Sequence, residues 1–303
     1  MKKVFLSFCL LTLLSSCSEK NKSSTKIVEK PTPVVFVSNY PLQFFVQAIT
    51  ANKVDVLFPG KESDDPSNWI PNPEQISSLQ NADLIIINGA SYEKWMENIS
   101  LSASKIVNTT AKAEDKLIKY KEAVTHSHGP EGEHAHMGTA FTTWLDFSLA
   151  RLQAKAIYES LILHFPEHKE SFLTNYQKLD AKLKSLDEQL IEIISKKPEA
   201  AVVFSHPVYQ YFEKRYHVHG HSVHWEPETV ITIDLWHDLE HAVDDHKVEW
   251  MVWENQPMAT SVRFLDDKGI RSIVFNPCGN VPETGDFLTV MHKNISELKK
   301  VFH

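Results

Sequence analysis

The stretch Ala-Asp-Leu-Ile-Ile-Ile-Asn-Gly at positions 82–89 decides the fold. Its four consecutive apolar residues, three of them β-branched, predict a strand, and the asparagine and glycine that follow are typical of a turn. A strand that is apolar on both faces is typical of a parallel sheet covered by helices on both sides. The stretch therefore predicts an α/β protein.

Short apolar runs of the same kind recur along the whole chain. The further predicted strands are 34–38, 54–58, 200–204, 250–253 and 270–275. Helical patterns lie between them at 41–51, 73–80, 235–244 and 257–268. This alternation in both halves predicts two Rossmann-like lobes, each with a parallel sheet.

A long amphipathic helix separates the two halves. Its apolar stripe, with alternating spacings of four and three, consists of Phe172, Tyr176, Leu179, Leu183, Leu186, Leu190 and Ile193. Pro198 ends the helix and a strand begins at once, which favours a rigid connection over the alternative of a coiled-coil partner helix. We therefore expect lobes over 34–165 and 198–303, joined by one long helix over 166–197.

The first residues predict export and a lipid anchor. Two lysines precede an apolar run that ends in Leu-Ser-Ser-Cys at 14–17, a lipobox-like sequence. The run is too short for a permanent transmembrane helix. We expect a signal sequence over 1–17 that ends at a lipidated Cys17, followed by a polar tether over 18–33; an ordinary cleaved signal peptide is the alternative.

Composition limits the classes of partner and ligand. The formal net charge is −8, which disfavours nucleic acid as a partner. Cys9 lies in the predicted signal and Cys17 is predicted to carry lipid, so no disulfide is expected in the folded part. The chain has 16 histidines, clustered at 126–136 and 206–246, which indicates metal chemistry.

Ligands of open α/β sheets bind beyond the carboxyl ends of the strands. The stretches at such positions are 64–69, 205–207, 254–256 and 276–279. The candidate metal ligands among them are Asp64, Asp65, His206 and Glu254. A core histidine is the alternative for His206, and a partner of a helix N-terminus is the alternative for Glu254. Cys278 is expected to pack as a small hydrophobe rather than to bind as a thiolate.

Three motifs resemble the metal-binding receptors of zinc and manganese ABC importers. Asn88-Gly89 with Tyr92, Glu93 and Trp95 resembles the segment ADLVVYNG-x-x-LE-x-W of that family. Trp-Leu-Asp at 144–146 resembles its HIWLDP turn, and His-Pro-Val-Tyr-Gln-Tyr-Phe at 206–212 resembles HDAFGYF. The resemblance covers nearly the whole chain after the tether. It implies two lobes joined by a rigid helix, with small movements between them.

The resemblance also implies a function and a ligand set. The function is that of an extracytoplasmic, lipid-anchored binding protein of a bacterial membrane. It passes Zn²⁺, Mn²⁺ or another divalent transition metal to an ABC permease, without catalysis. The family's ligand positions fall on Ser67, Thr142, His206 and Asn276. His206 is the one usual ligand among them, because serine, threonine and asparagine are weak neutral donors for zinc.

Three hypotheses account for these departures. Neighbouring residues rebuild a site around His206, drawn from Asp64, Asp65, Glu254, Cys278 or a histidine from elsewhere. Alternatively, the cleft takes another ligand, or mobile histidines hold the metal. A degenerate receptor-like module that binds a different solute or a partner protein is the alternative function. A zinc hydrolase is disfavoured, because neither a His-Glu-x-x-His motif nor a nucleophile elbow is present.

Histidine-rich segments supply further candidate ligands. Residues 111–138 lack both periodicities and are predicted to form a mobile loop. The candidate ligands in this loop are His126, His128, His134 and His136. The resemblance implies that the loop gathers zinc, and a solvated loop without a role is the alternative. Alternating histidines at 217–224 fit either a metal-binding edge or surface imidazoles. His237, His241 and Asp245 lie four apart on a predicted helix face, which favours a solvated face, with chelation of an ion as the alternative.

Overall fold

The structure is a computed structural model that describes residues 32–303 except 64, 121–123, 128–132, 137 and 244–247. For residues 124–127, 133–136 and 242 it describes the backbone alone. The predicted signal sequence with Cys17, and the tether up to residue 31, lie outside the described residues. So do the candidates Asp64, His128 and Asp245.

The first lobe contains a parallel four-stranded sheet with the order β2-β1-β3-β4. Its strands are β1 (Val34–Val37), β2 (Asp55–Leu57), β3 (Leu84–Ile87) and β4 (Ile106–Asn108). Two helices flank it, α1 (Tyr40–Thr50) and α2 (Pro73–Asn81). All four residues of β3 are buried, since separate hydrophobic clusters cover the two faces of the sheet. The parallel sheet predicted from this stretch is confirmed.

The histidine-rich segment forms an antiparallel pair, β5 (Val124–Ser127) and β6 (Glu133–His136), where the sequence predicts a loop. In its register His126 lies opposite His134. The pair was not predicted because the strands are short and lack an apolar face. Valine and threonine at its start favour extended backbone, and the Gly-Pro and Gly between the strands favour a turn.

Two long helices connect the sheets, α3 (Phe147–His164) and α4 (Lys169–Ile194). A short 3-10 turn over Pro166–His168 precedes α4, so the predicted long helix is confirmed with a slightly later start. Its apolar stripe packs against α1, α3 and a C-terminal helix, α8 (Phe287–Phe302). Among the described helices, none is long and apolar enough to cross a bilayer.

The second lobe contains another parallel four-stranded sheet, with the order β10-β9-β7-β8. Its strands are β7 (Ala201–Phe204), β8 (His219–Ser222), β9 (Trp250–Trp253) and β10 (Arg271–Val274). The intervening helices are α5 (Gln210–Tyr216), α6 (Ile233–Val243) and α7 (Ala259–Asp267). The α/β class with two parallel sheets is thus confirmed. The lobe boundaries at 165 and 198 stay a prediction.

Hydrogen bonds join the loops at the carboxyl ends of the two sheets. The indole Nε1 of Trp144 donates to the carbonyl of Pro277 over 2.7 Å. The amide of Asn280 donates to the carbonyl of Ser63 over 2.8 Å, and the backbone N–H of Tyr40 donates to the carbonyl of Gly279 over 3.2 Å. These contacts bring the loops at the strand ends of the two lobes together.

Candidate metal centre

Four polar side chains of the second lobe meet at the carboxyl ends of three neighbouring strands. His206 follows β7, and Glu254 directly follows β9. His224 and Glu226 lie on the segment that leaves β8. Because β8, β7 and β9 are adjacent and parallel, their ends lie side by side at the cleft.

Ser205 fixes the spacing of these strand ends. Its backbone N–H donates to the carbonyl of Val252 on β9 over 2.9 Å, and its carbonyl accepts from the N–H of Trp225 over 2.7 Å. Its hydroxyl accepts from the N–H of Glu254 over 3.3 Å. One residue therefore ties the segments that carry all four side chains, and the backbone around the site is held by the sheet.

The imidazole of His206 lies between two carboxylates. Its Nε2 is 4.0 Å from Oε1 of Glu226, and its Nδ1 is 3.9 Å from Oε2 of Glu254. The ring of His224 stands nearly perpendicular to it, with 5.9 Å between the ring centroids. The His206 side chain is 8% exposed, so these neighbours dominate its surroundings.

These donors surround a common space but are not yet in a coordination shell. Among the residues that the structure describes, no three His, Cys, Asp or Glu side chains already stand at metal-coordinating distances. Two imidazoles and two carboxylates are nevertheless donor types that suit zinc and other borderline divalent ions.

The electrostatics of the centre favour a cation. Burial, together with the negative charges of Glu226, Asp65 and Glu228 and a side-chain hydrogen bond with Glu226, raises the pKa of Glu254 to about 8. The negative charges near Glu254 therefore disfavour its ionised form. A divalent ion placed among them relieves this repulsion.

The first lobe contributes Asp65 to the edge of this centre. Its carboxylate accepts hydrogen bonds from the N–H and the hydroxyl of Ser67, both over 2.8 Å, and from the amide of Asn68 over 2.9 Å. Asp65 also acts electrostatically on Glu254 and on the buried Tyr92. Asp65 therefore adds a negative charge from the first lobe near Glu254, while its oxygens accept hydrogen bonds within its own turn.

The side chains at the other positions where the resemblance implies ligands make hydrogen bonds to protein atoms. The buried Ser67 hydroxyl donates to Asp65, and the Thr142 hydroxyl donates to the carbonyl of Val208 over 2.5 Å. The side-chain carbonyl of Asn276 accepts from the N–H of Cys278 over 2.6 Å. No His, Asp or Glu stands at any of these three positions.

Cys278 is buried in the main hydrophobic cluster. Burial, with a smaller contribution from the charge of Asp286, raises the pKa of its thiol to about 12. The neutral thiol is thus the form present at neutral pH, which agrees with the expected packing role.

The predicted histidine-rich groups are distributed over several elements. His126, His134 and His136 lie on the β5–β6 pair. Strand β8 carries exposed His219 and His221. On α6, His237 and His241 are exposed, as expected for a solvated helix face.

Sequence reasoning did not single out His224 or Glu226 as partners of His206. The available indication was the alternation of histidines at 217–224, which is compatible with a strand. Their position beside His206 depends on the parallel register of β7 and β8, which places Phe204 opposite Ser222. That register is a tertiary property and is not visible in the local pattern.

Comparison with known proteins supports the fold and identifies the family. The chain is 24% identical over 318 residues to the zinc-binding lipoprotein AdcA of Streptococcus pneumoniae strain R6, covering 99% of this chain and 61% of that protein. It is 28% identical over 234 residues to the iron ABC transporter substrate-binding lipoprotein MtsA of Streptococcus pyogenes, covering 74% of this chain and 70% of MtsA. This chain thus spans less than two thirds of the length of AdcA.

Solved structures and a family model agree with these relatives. The metal-dependent lipoprotein YcdH of Bacillus subtilis has the same fold, with a TM-score of 0.76 at 20% identity over 89% of this chain and 100% of the YcdH chain. The model of the periplasmic zinc-uptake complex component A matches residues 35–301. Since that match extends over both sheets and the connecting helices, this chain belongs to the ZnuA family, the periplasmic component A of zinc-uptake complexes.

Proposed function

We propose that this protein is the extracytoplasmic substrate-binding component of a metal ABC importer. It captures a divalent transition metal, zinc before others, and delivers it to an ABC permease. The observation that carries this proposal is the buried imidazole of His206, with a carboxylate about 4 Å from each ring nitrogen at the cleft between the lobes. Membership of the ZnuA family supports it.

The choice of metal rests on donor chemistry and on the relatives. Imidazole and carboxylate donors suit zinc, and the name of AdcA refers to zinc. The name of MtsA refers to iron, which indicates that relatives bind metals other than zinc. The proposed ligands therefore include Mn²⁺ and other divalent transition metals. No catalytic step is proposed, because a binding protein needs only capture and release.

Location and partners follow from the first residues together with the relatives. A lipidated Cys17 holds the protein at the outer face of a bacterial membrane through the tether over 18–33. The names of AdcA and MtsA as lipoproteins support this placement. The segment 126–136 gathers ions and passes them to the cleft, a role supported by its four histidines.

One observation favours a second candidate, a receptor-like module that binds a different solute or a partner protein. Three of the four family ligand positions carry Ser67, Thr142 and Asn276, each in a hydrogen bond with another protein atom. Such a module would retain the fold and the family membership without binding zinc tightly.

Calorimetric titration with Zn²⁺ separates the two candidates. For the lipid-free chain from residue 18 we expect a dissociation constant below about 1 μM, corresponding to about −8 kcal/mol or better. His206→Ala should weaken this binding by about 100-fold or more, while deletion of residues 126–136 should leave the tight cleft site. Absence of binding tighter than about 1 μM in the unchanged protein would favour the second candidate.

A further inference from the structure

We infer that the segment after β8 replaces the missing ligands of the first lobe, so that His224 and Glu226 bind the ion together with His206. Glu254 then acts as a positioning residue on the other ring nitrogen of His206. This inference rests on the proposed function. It places the ion in the second lobe alone.

The direction of the chain after β8 brings His224 and Glu226 to the same side. Trp225, between them, is buried in the hydrophobic cluster that contains Trp253. In extended backbone, successive side chains point to opposite sides. Because Trp225 points into the core, both of its neighbours point towards the cleft.

The two glutamates take different roles because they face different nitrogens of one ring. Glu226 lies near Nε2 and Glu254 near Nδ1. An ion bound at one nitrogen has one of these carboxylates within reach, and the other accepts the N–H and orients the ring.

We assign Glu226 as the carboxylate that binds the ion, because it lies two residues from His224 on the same short segment. His224 is exposed, and the side chain of Glu226 is 36% exposed against 23% for that of Glu254. Glu254 starts directly at the end of β9, and the hydroxyl of Ser205 holds its backbone N–H. The more buried carboxylate, whose backbone is held by Ser205, therefore takes the orienting role.

The distances require only small movements to form a zinc site. Ligand atoms that share a tetrahedral zinc at about 2.0–2.1 Å lie roughly 3.3 Å apart, and two imidazoles on one zinc have centroids roughly 5 Å apart. The corresponding separations here are 4.0 Å and 5.9 Å. Each donor therefore has to approach by less than about 1 Å, which side-chain rotation provides. A set of two imidazoles and one carboxylate leaves a further position for water.

The test compares zinc affinities of the chain from residue 18 with those of single variants. We expect His224→Ala and Glu226→Gln each to weaken Zn²⁺ binding at least about tenfold. His219→Ala and His221→Ala are matched controls, since both residues are exposed histidines on β8, and their affinities should stay within about twofold of the unchanged protein. Thermal unfolding of each metal-free variant checks that folding is intact.

Cobalt spectroscopy tests the separate role of Glu254. We expect Glu254→Gln to weaken Co²⁺ binding while keeping the ligand-field absorption bands, because the ligand set is unchanged. Glu226→Gln should shift or abolish those bands. Identical spectra for Glu226→Gln and the unchanged protein would overturn the assignment of Glu226 as a ligand.

The outcomes distinguish this inference from the proposed function. Tight zinc binding that neither His224→Ala nor Glu226→Gln weakens overturns the inference and leaves the function standing. Absence of tight binding in the unchanged protein overturns both. Loss of binding in those two variants, with the β8 controls unaffected, supports the relocated site.

Discussion

At the scale of single residues, the candidate metal centre was partly predictable. His206 and Glu254 follow apolar strands, and that position alone indicates the cleft. His224 and Glu226 reach it because β8 pairs with β7 in parallel, which no local pattern specifies. Ser67 was identified through a resemblance, and its hydroxyl instead bonds to Asp65. The sequence thus predicted which residues follow a strand, but it did not predict which residues of the neighbouring strand lie beside them.

Glu213 on α5 gives a prediction about pH and stability. Burial raises the pKa of its carboxyl to about 7. The folded state then binds this proton more tightly than the unfolded chain does, so the free energy of unfolding falls as the pH rises from about 5 to about 8. In Glu213→Gln we expect that fall to be about 1–3 kcal/mol smaller. Urea unfolding at both ends of this range measures it, and equal pH dependence in the two proteins would contradict the prediction.

At the scale of elements, the apolar stripe predicted α4, but α3 was not predicted. Apolar residues of α3 lie outside its buried face as well as on it, as the exposed Leu163 shows, so the hydrophobic contrast between its faces is weak. Its start depends on Asp146, whose carboxylate accepts from the N–H groups of Ser148 and Leu149. A helix whose faces differ little in hydrophobicity is recognisable only once its partner helix is known.

Asp187 on α4 joins three elements through one buried carboxylate. It accepts from Arg215 over 2.6 Å and from the hydroxyl of Tyr216 over 2.9 Å, and that hydroxyl also accepts from the N–H of Phe147. Removal of the carboxylate leaves a guanidinium and a buried hydroxyl without this acceptor. We therefore expect Asp187→Ala to lower the free energy of unfolding by about 2–4 kcal/mol.

Asp180 provides the matched control for this prediction, since it pairs with Arg151 between α4 and α3 in a more exposed place. Asp180→Ala should cost about 1 kcal/mol or less. Urea unfolding with unchanged m-values measures both variants. Equal decreases in the free energy of unfolding for the two variants would show that burial does not determine how strongly the Asp187 pair stabilises the fold.

At the scale of the whole molecule, the alternation of strands and helices predicted both sheets and their parallel direction. Hydrogen bonds from Trp144 and Asn280 tie the loops of one lobe to those of the other. Helix α4 packs against helices from both halves of the chain. A rigid connection of this kind opposes large rotation between the lobes.

We expect zinc to change the overall shape very little. With the ion bound by the second lobe, the lobes need no closure around it. Small-angle X-ray scattering of the metal-free and zinc-loaded protein should therefore give the same radius of gyration within error. A rotation of the lobes by tens of degrees would contradict both the rigid connection and the one-lobe site.

Ser205 carries a consequence for the choice among ions. Because it ties the exits of three neighbouring strands, the width between their donors is inherited from the sheet, whose strands lie about 4.8 Å apart. Small backbone movements therefore change the distance between these donors too little to adapt the site to ions of different radius. In the proposed site, discrimination between a small and a larger divalent ion would then depend on side-chain rotamers and on the number of waters that the ion retains.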